Sequence, residues 1–191
     1  MEATQVKTAN AGVLGLLAYG MTTILLSLSN SGIIPFDGMI LAMALLFGGL
    51  AQTLVALIHV GQGDTFGFAS FGGYSFLWLT FGLFNVGVLR EWWSVDSSAV
   101  GAYLLVWMVF TIFLAIASTT APRVLTYILV LTAVLLGMLA VGNLTGNAGL
   151  VVLGGYEGLI TGALAMYMAF AMLLNESWGK EVLPLGAPLR K

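Results

Sequence analysis

Residues 122–142 read PRVLTYILVLTAVLLGMLAVG, an apolar run broken by one charge, Arg123. A bilayer core of about 30 Å takes about 20 apolar residues as a helix, and this stretch supplies them. Working outward along the chain, the same reading recurs at 11–29, 37–59, 66–89, 99–117 and 149–174. Within hydrocarbon each backbone N–H and C=O must be satisfied by its own segment, so each run is expected as a helix. Six such runs use most of the 191 residues and leave only short connections. The expected fold is an all-α integral membrane protein, a six-transmembrane-helix bundle per protomer formed by one domain over 1–191. No room is left for a soluble catalytic or regulatory domain.

Composition agrees. The chain is 60% hydrophobic and 7% charged, whereas soluble domains carry about 25% charged residues. With six Lys and Arg in all there is no patch for a polyanion, which excludes nucleic acid as a partner. No Cys and a single His exclude disulfides, Fe–S clusters, bis-histidine haem and multi-histidine metal sites, so no metal or cofactor is expected. The first apolar run is too long for a signal peptide's h-region of about 7–15 residues. It is read as an uncleaved helix, although Ser27-Leu28-Ser29 offers a small-x-small triplet.

Orientation follows from the basic residues of the short loops. Lys7, Arg123, Lys180, Arg190 and Lys191 fall on one side and Arg90 alone on the other. Both termini are therefore expected in the cytoplasm, with the bundle in the cytoplasmic membrane. The connections carry stop and start signals: Asn30-Ser31-Gly32 with Pro35, Asp37 as a cap for the second helix, and Thr119-Thr120-Ala121-Pro122 as a tight turn. Gly142-Asn143-Leu144-Thr145-Gly146-Asn147 is a polar, uncharged end to the fifth span, and Trp92-Trp93 is an interfacial anchor. Gly154, Gly158 and Gly162 stand four apart and give the sixth helix a face for close packing, within the bundle or between protomers.

Polar side chains inside spans have to face a cavity or another helix. Tyr19, Thr22, Thr23 and Ser27 lie on the first helix, Gln52 on the second, and Tyr74, Ser75 and Asn85 on the third. Thr132 lies on the fifth helix, and Tyr156, Glu157 and Thr161 on the sixth. Gln52 suits either interhelical glue or a pathway. Glu157 is the one carboxylate well inside a span, where a charge costs about 2.5–3.5 kcal/mol on insertion scales, so it is expected to line the pathway. His59 is read as a solvated helix end. General acid–base or nucleophilic chemistry needs at least two cooperating groups. No such dyad can be assembled, so no enzyme is expected.

Several motifs resemble the acetate uptake transporter family. Asn10-Ala11-Gly12-Val13-Leu14-Gly15-Leu16 is similar to that family's N-P-x-P-L-G-L, and Tyr19-Gly20-Met21-Thr22-Thr23 to its F-G-M-T-T. Asp64-Thr65-Phe66-Gly67, followed by Phe71, Tyr74 and Trp78, resembles N-T-F-G…S-Y-G-x-F-W. Gly48-Gly49-Leu50-Ala51-Gln52, the 142–147 segment and the tail Leu183-Pro184-Leu185-Gly186 continue the match in order. The chain departs from the pattern at Ala11 and Val13 (prolines), Tyr19 (Phe), His59 (glutamate), Thr132 (leucine, with Leu131 adjacent) and Glu157 (apolar).

The resemblance implies a homohexamer in which each protomer holds its own pathway, narrowed by Tyr19, Tyr74 and Leu131 or Thr132. It implies small carboxylates as substrates: acetate, and in some members succinate. The expected function is transport of acetate or a similar monocarboxylate, as a channel or a proton-coupled permease. The pathway is expected to be lined by Tyr19, Thr22, Gln52, Tyr74, Leu131, Thr132, Asn143 and Glu157. No Lys or Arg is available mid-membrane to trap an anion, and weak sites let an ion leave as well as enter. The alternative is a channel for a small neutral solute such as ammonia, urea or water.

Overall fold

A computed structural model describes residues 9–190. Six helices are long and apolar enough to cross a membrane: α1 (Ala11–Asn30), α2 (Gly38–Gly61), α3 (Thr65–Leu89), α4 (Ser97–Thr120), α5 (Arg123–Thr145) and α6 (Ala148–Trp178). Several run past the boundaries expected from hydropathy, because their ends are polar yet still helical. α6 is the clearest case. At 31 residues it measures about 46 Å, longer than the hydrocarbon core, and its surplus carries Asn175 and Glu176. α5 likewise continues through Asn143 and Thr145 to a left-handed cap at Gly146, φ 65°.

Side-chain caps set the starts. Asp37 accepts from Met39 N at 2.9 Å, Asp64 from Gly67 N at 2.9 Å, and Asn147 from Leu150 N at 3.2 Å. Each satisfies an amide that the helix itself leaves without a partner, a contribution of about 1 kcal/mol. Asp96 opens α4 by accepting from the Ser98 amide and hydroxyl, and those bonds hold its carboxyl below the usual aspartate range.

The helices pack as antiparallel neighbours. Gly20 and Gly162 face each other so closely that a Cβ on either would stand 2.8 Å from the other's carbonyl oxygen. Gly155 meets the backbone at Ser31, and Gly158 meets Ser27. The glycine face of α6 is thus consumed by α1 of the same chain, with Gly154 turned to Leu139 of α5. It is not free to pack a second protomer. The remaining pairs are α2 with α3 and α4 with α5, joined through α1–α2 and α5–α6 contacts.

Within α2, Met43–Ala51 winds as a π-helix, a wider form often found at functional sites. It presents Gly48 to Trp78 of α3, where a Cβ would stand 2.7 Å from the ring. The tail crosses the end of the bundle where α1 begins. Gly186 O and Leu185 O accept from the Arg123 and Val124 amides at 3.3 and 3.2 Å, and Arg190 N donates to Thr119 O at 2.9 Å. These bonds seat Arg123 and Arg190 at one end, while Arg90 follows α3 at the other. Lys7 and Lys191, which enter the orientation argument, lie outside the described residues.

Candidate functional site

One face of α1 repeats a hydroxyl every fourth residue, at Tyr19, Thr23 and Ser27, and residues so spaced share a helix face. All three line a cavity of about 380 Å³ in the half of the bundle where α1 ends. α3 contributes Tyr74, Trp78, Phe81 and Asn85, α4 contributes Tyr103 and Leu104, and α5 contributes Thr132, Leu135 and Asn143. Phe36, from the α1–α2 connection, and Val151 of α6 complete the wall. Edge-to-face aromatic contacts hold that wall, Trp78–Phe81 at 5.9 Å and Phe81–Phe84 at 5.4 Å.

The inner limit of the cavity is a layer of four hydroxyl side chains. Tyr19 OH stands 2.6 Å from Thr132 Oγ1, and Tyr74 OH stands 3.0 Å from Thr111 Oγ1. The two tyrosine rings lie against each other with centroids 5.3 Å apart. Each threonine spends its one proton on its own helix, Thr132 on Ile128 O at 2.7 Å and Thr111 on Trp107 O at 2.8 Å. The tyrosines must therefore be the donors of both pairs. At rest the layer turns lone pairs, rather than free protons, to the space between its members. Tyr19 and Tyr74 are 6% and 5% exposed, so the layer closes the cavity.

The expected pathway residues divide here. Tyr19, Tyr74, Thr132 and Asn143 line the cavity, and Asn143 Nδ2 donates to Leu139 O at 2.8 Å. Thr132 reaches the layer, and Leu131, one residue before it, is not part of the wall. Thr22 and Gln52 are fully buried away from the cavity. Gln52 Nε2 donates to Gly15 O at 3.1 Å and ties α2 to α1. Glu157 is not part of the wall and accepts from Thr161 Oγ1 at 2.7 Å.

His59 is not a solvated helix end. Its side chain is 12% exposed, with Nδ1 2.8 Å from Asp64 Oδ2 although out of line for a hydrogen bond. It stacks on Phe71 at 5.3 Å. The cause is Gly67, where a Cβ would stand 2.3 Å from Nδ1; the missing side chain makes room for the imidazole.

Thr111 is the layer member that sequence reading does not single out. Its hydroxyl is seated on its own helix, as an ordinary threonine's would be. Only a partner 37 residues away, Tyr74, distinguishes it.

Residues 1–184 match the GPR1/FUN34/yaaH family. The chain belongs to that family. It is 41% identical over 183 residues to the succinate-acetate/proton symporter SatP of Escherichia coli strain K12, covering 94% of this chain and 96% of that one. It is 32% identical to ammonia transport outward protein 2 of Saccharomyces cerevisiae, over 86% of this chain and 61% of the longer yeast protein. In three dimensions it matches the structure of the bacterial acetate channel SatP with a TM-score of 0.91 at 41% identity, over 94% of this chain and 100% of that one. This GPR1/FUN34/yaaH member is accordingly a multi-pass integral membrane protein with six spanning helices.

Proposed function

We propose that this family member moves acetate, or a similar small monocarboxylate, across the cytoplasmic membrane. The observation that carries the reading is the hydroxyl layer closing an otherwise aromatic cavity, in a chain with a TM-score of 0.91 to an acetate channel. The pathway runs through each protomer, the whole chain forming one six-helix domain with both termini cytoplasmic. The protomers assemble as a hexamer. Tyr19, Tyr74 and Thr132, with Thr111 behind Tyr74, form the constriction, and Asn143 lies in the outer wall.

Mechanism follows from the proton inventory. A carboxylate descending the cavity meets tyrosine O–H groups already donating to threonines. It enters by taking over one of those donors, which opens that tyrosine–threonine pair and the ring layer with it. When the anion leaves, the pair reforms and the aromatic layer excludes water again, since a narrow hydrophobic constriction gates by dewetting. No Lys or Arg lines the cavity, so the anion is held by hydrogen bonds alone and can leave. This is transport without bond-making chemistry, and enzymatic activity is not part of the reading.

Purified protein in liposomes should take up labelled acetate in a saturable manner, and excess unlabelled acetate should suppress that uptake. Absence of uptake under any imposed gradient would sink the proposal. A second reading, passage of a neutral solute, is favoured by the yeast relative's name, ammonia transport outward protein. Excess acetate separates them: it blocks carboxylate flux and leaves ammonia flux intact if the two solutes use different routes.

A further inference from the structure

Glu157 is a half-buried carboxyl inside a span that the transport mechanism leaves unused. It lies on α6 three residues after Gly154, which meets Leu139 of α5, and one before Gly158, which meets Ser27 of α1. Oε1 is engaged by Thr161, whose side chain is fully buried, at 2.7 Å. Oε2 is shielded from solvent and has no hydrogen-bond partner among the described residues. A carboxylate held ionised in such a place would leave one oxygen's charge uncompensated, at a cost of several kcal/mol. A carboxylic acid there costs far less. Its setting makes protonation and deprotonation a consequential event.

What it would act on is one helix away. A Cβ on Gly158, the next residue, would touch Ser27 Oγ, and Ser27 lines the cavity with Tyr19. A Cβ on Gly158 would also meet Leu135 of α5, another residue of the cavity wall. Tyr19 is the titratable residue of α1. The titratable residues of α5, Arg123 and Tyr127, stand at the far end of that helix. On α6 itself Tyr156 is adjacent and turned outward, 50% exposed. Among the described residues no basic side chain bonds Glu157 Oε2.

We infer that Glu157 is an electrostatic valve on anion passage, open when protonated and closed when ionised. The inference rests on the monocarboxylate reading. A negative charge one residue from the Gly158 contact with the cavity wall raises the energy of an anion beside the hydroxyl layer, where no Lys or Arg lines the cavity and the surroundings screen poorly. Proton loss from Glu157 thus lowers carboxylate flux, and proton gain restores it. The residue is not part of the cavity wall and works through its field, as a control group rather than a binding one.

The test compares wild type with Glu157→Gln, which keeps the Thr161 contact and carries no charge at any pH. Acetate uptake into liposomes is measured across pH at constant acetate anion concentration, with protein-free vesicles subtracted. Wild-type uptake is expected to fall about tenfold from acid to alkaline pH. The Gln variant should hold its acid-pH rate throughout. Superimposable profiles would overturn the inference. An infrared titration of the same preparations reads the carboxyl without any transport. A protonated-carboxyl band that fades on alkalinisation and is missing in Glu157→Gln supports the valve. Identical spectra for the two proteins overturn it, whether or not acetate proves to be the substrate.

Discussion

Tyr19 and Thr132, 113 residues apart in the chain, bring their hydroxyl oxygens to 2.6 Å in the buried centre of the bundle. Thr132 already donates to Ile128 O at 2.7 Å, so the Tyr19 O–H is the donor and the threonine oxygen its acceptor. The pair places a hydrogen bond, rather than apolar side chains alone, at the constriction, where it can be exchanged with a passing solute.

A double-mutant cycle on this pair should therefore be strongly non-additive. Thr132→Leu strands the Tyr19 O–H and should cost about 1–3 kcal/mol. Tyr19→Phe leaves Thr132 still donating to Ile128 O and should cost less, about 0.5–1.5 kcal/mol. The double variant should be more stable than Thr132→Leu alone. Thermal unfolding in detergent measures all four proteins.

Truncating the ring layer should widen it. Tyr19→Ala and Tyr74→Ala each remove a ring from a pair with centroids 5.3 Å apart. Both variants should admit lactate, which wild type should exclude, while Tyr19→Phe should change acetate affinity more than size selectivity. Uptake of labelled acetate and lactate side by side gives the ratio. Unchanged ratios in both Ala variants, with normal expression, would place the constriction elsewhere.

The α1–α6 seam should tolerate no side chain at its tightest point. A Cβ at Gly162 would stand 2.8 Å from Gly20 O, which is backbone and cannot swing aside. Gly162→Val should lower stability by about 1–3 kcal/mol through overpacking. Gly38→Ala, where nothing lies within 4 Å, should be close to neutral. Melting temperatures of the two variants make the comparison.

The Gln52 tie between α2 and α1 should be structural. Gln52→Leu removes the bond to Gly15 O and should cost about 1 kcal/mol. Because Gln52 stands away from the cavity, acetate affinity should be unaffected. A lost affinity at full stability would move it into the pathway.

Hydropathy made the six helices legible, because the bilayer forces long apolar runs into backbone-satisfied segments. Asp37 was legible as a cap for the same local reason. What escaped were relations between helices. The Tyr19–Thr132 contact, the Tyr74–Thr111 contact and the α6 glycine face against α1 depend on which helices become neighbours. His59 was misjudged because its burial comes from the missing side chain of Gly67, eight residues on in sequence. Glu157 was expected to line the pathway, and the cavity wall does not include it. Its side chain turns instead to Thr161 of its own helix, and which face of α6 meets the cavity is not something hydropathy reports.

The central claim is that acetate passes through the cavity ending at the hydroxyl layer. The chain has no cysteine, so a single thiol can be placed at will. Asn85→Cys lies in the cavity wall, and Leu153→Cys is a control 54% exposed on the outside of the bundle. Labelled acetate uptake into liposomes is measured before and after a membrane-impermeant thiol reagent. The account predicts that modification abolishes uptake in Asn85→Cys, that excess acetate slows the modification, and that Leu153→Cys is indifferent. Full acetate uptake through fully modified Asn85→Cys protein would contradict it.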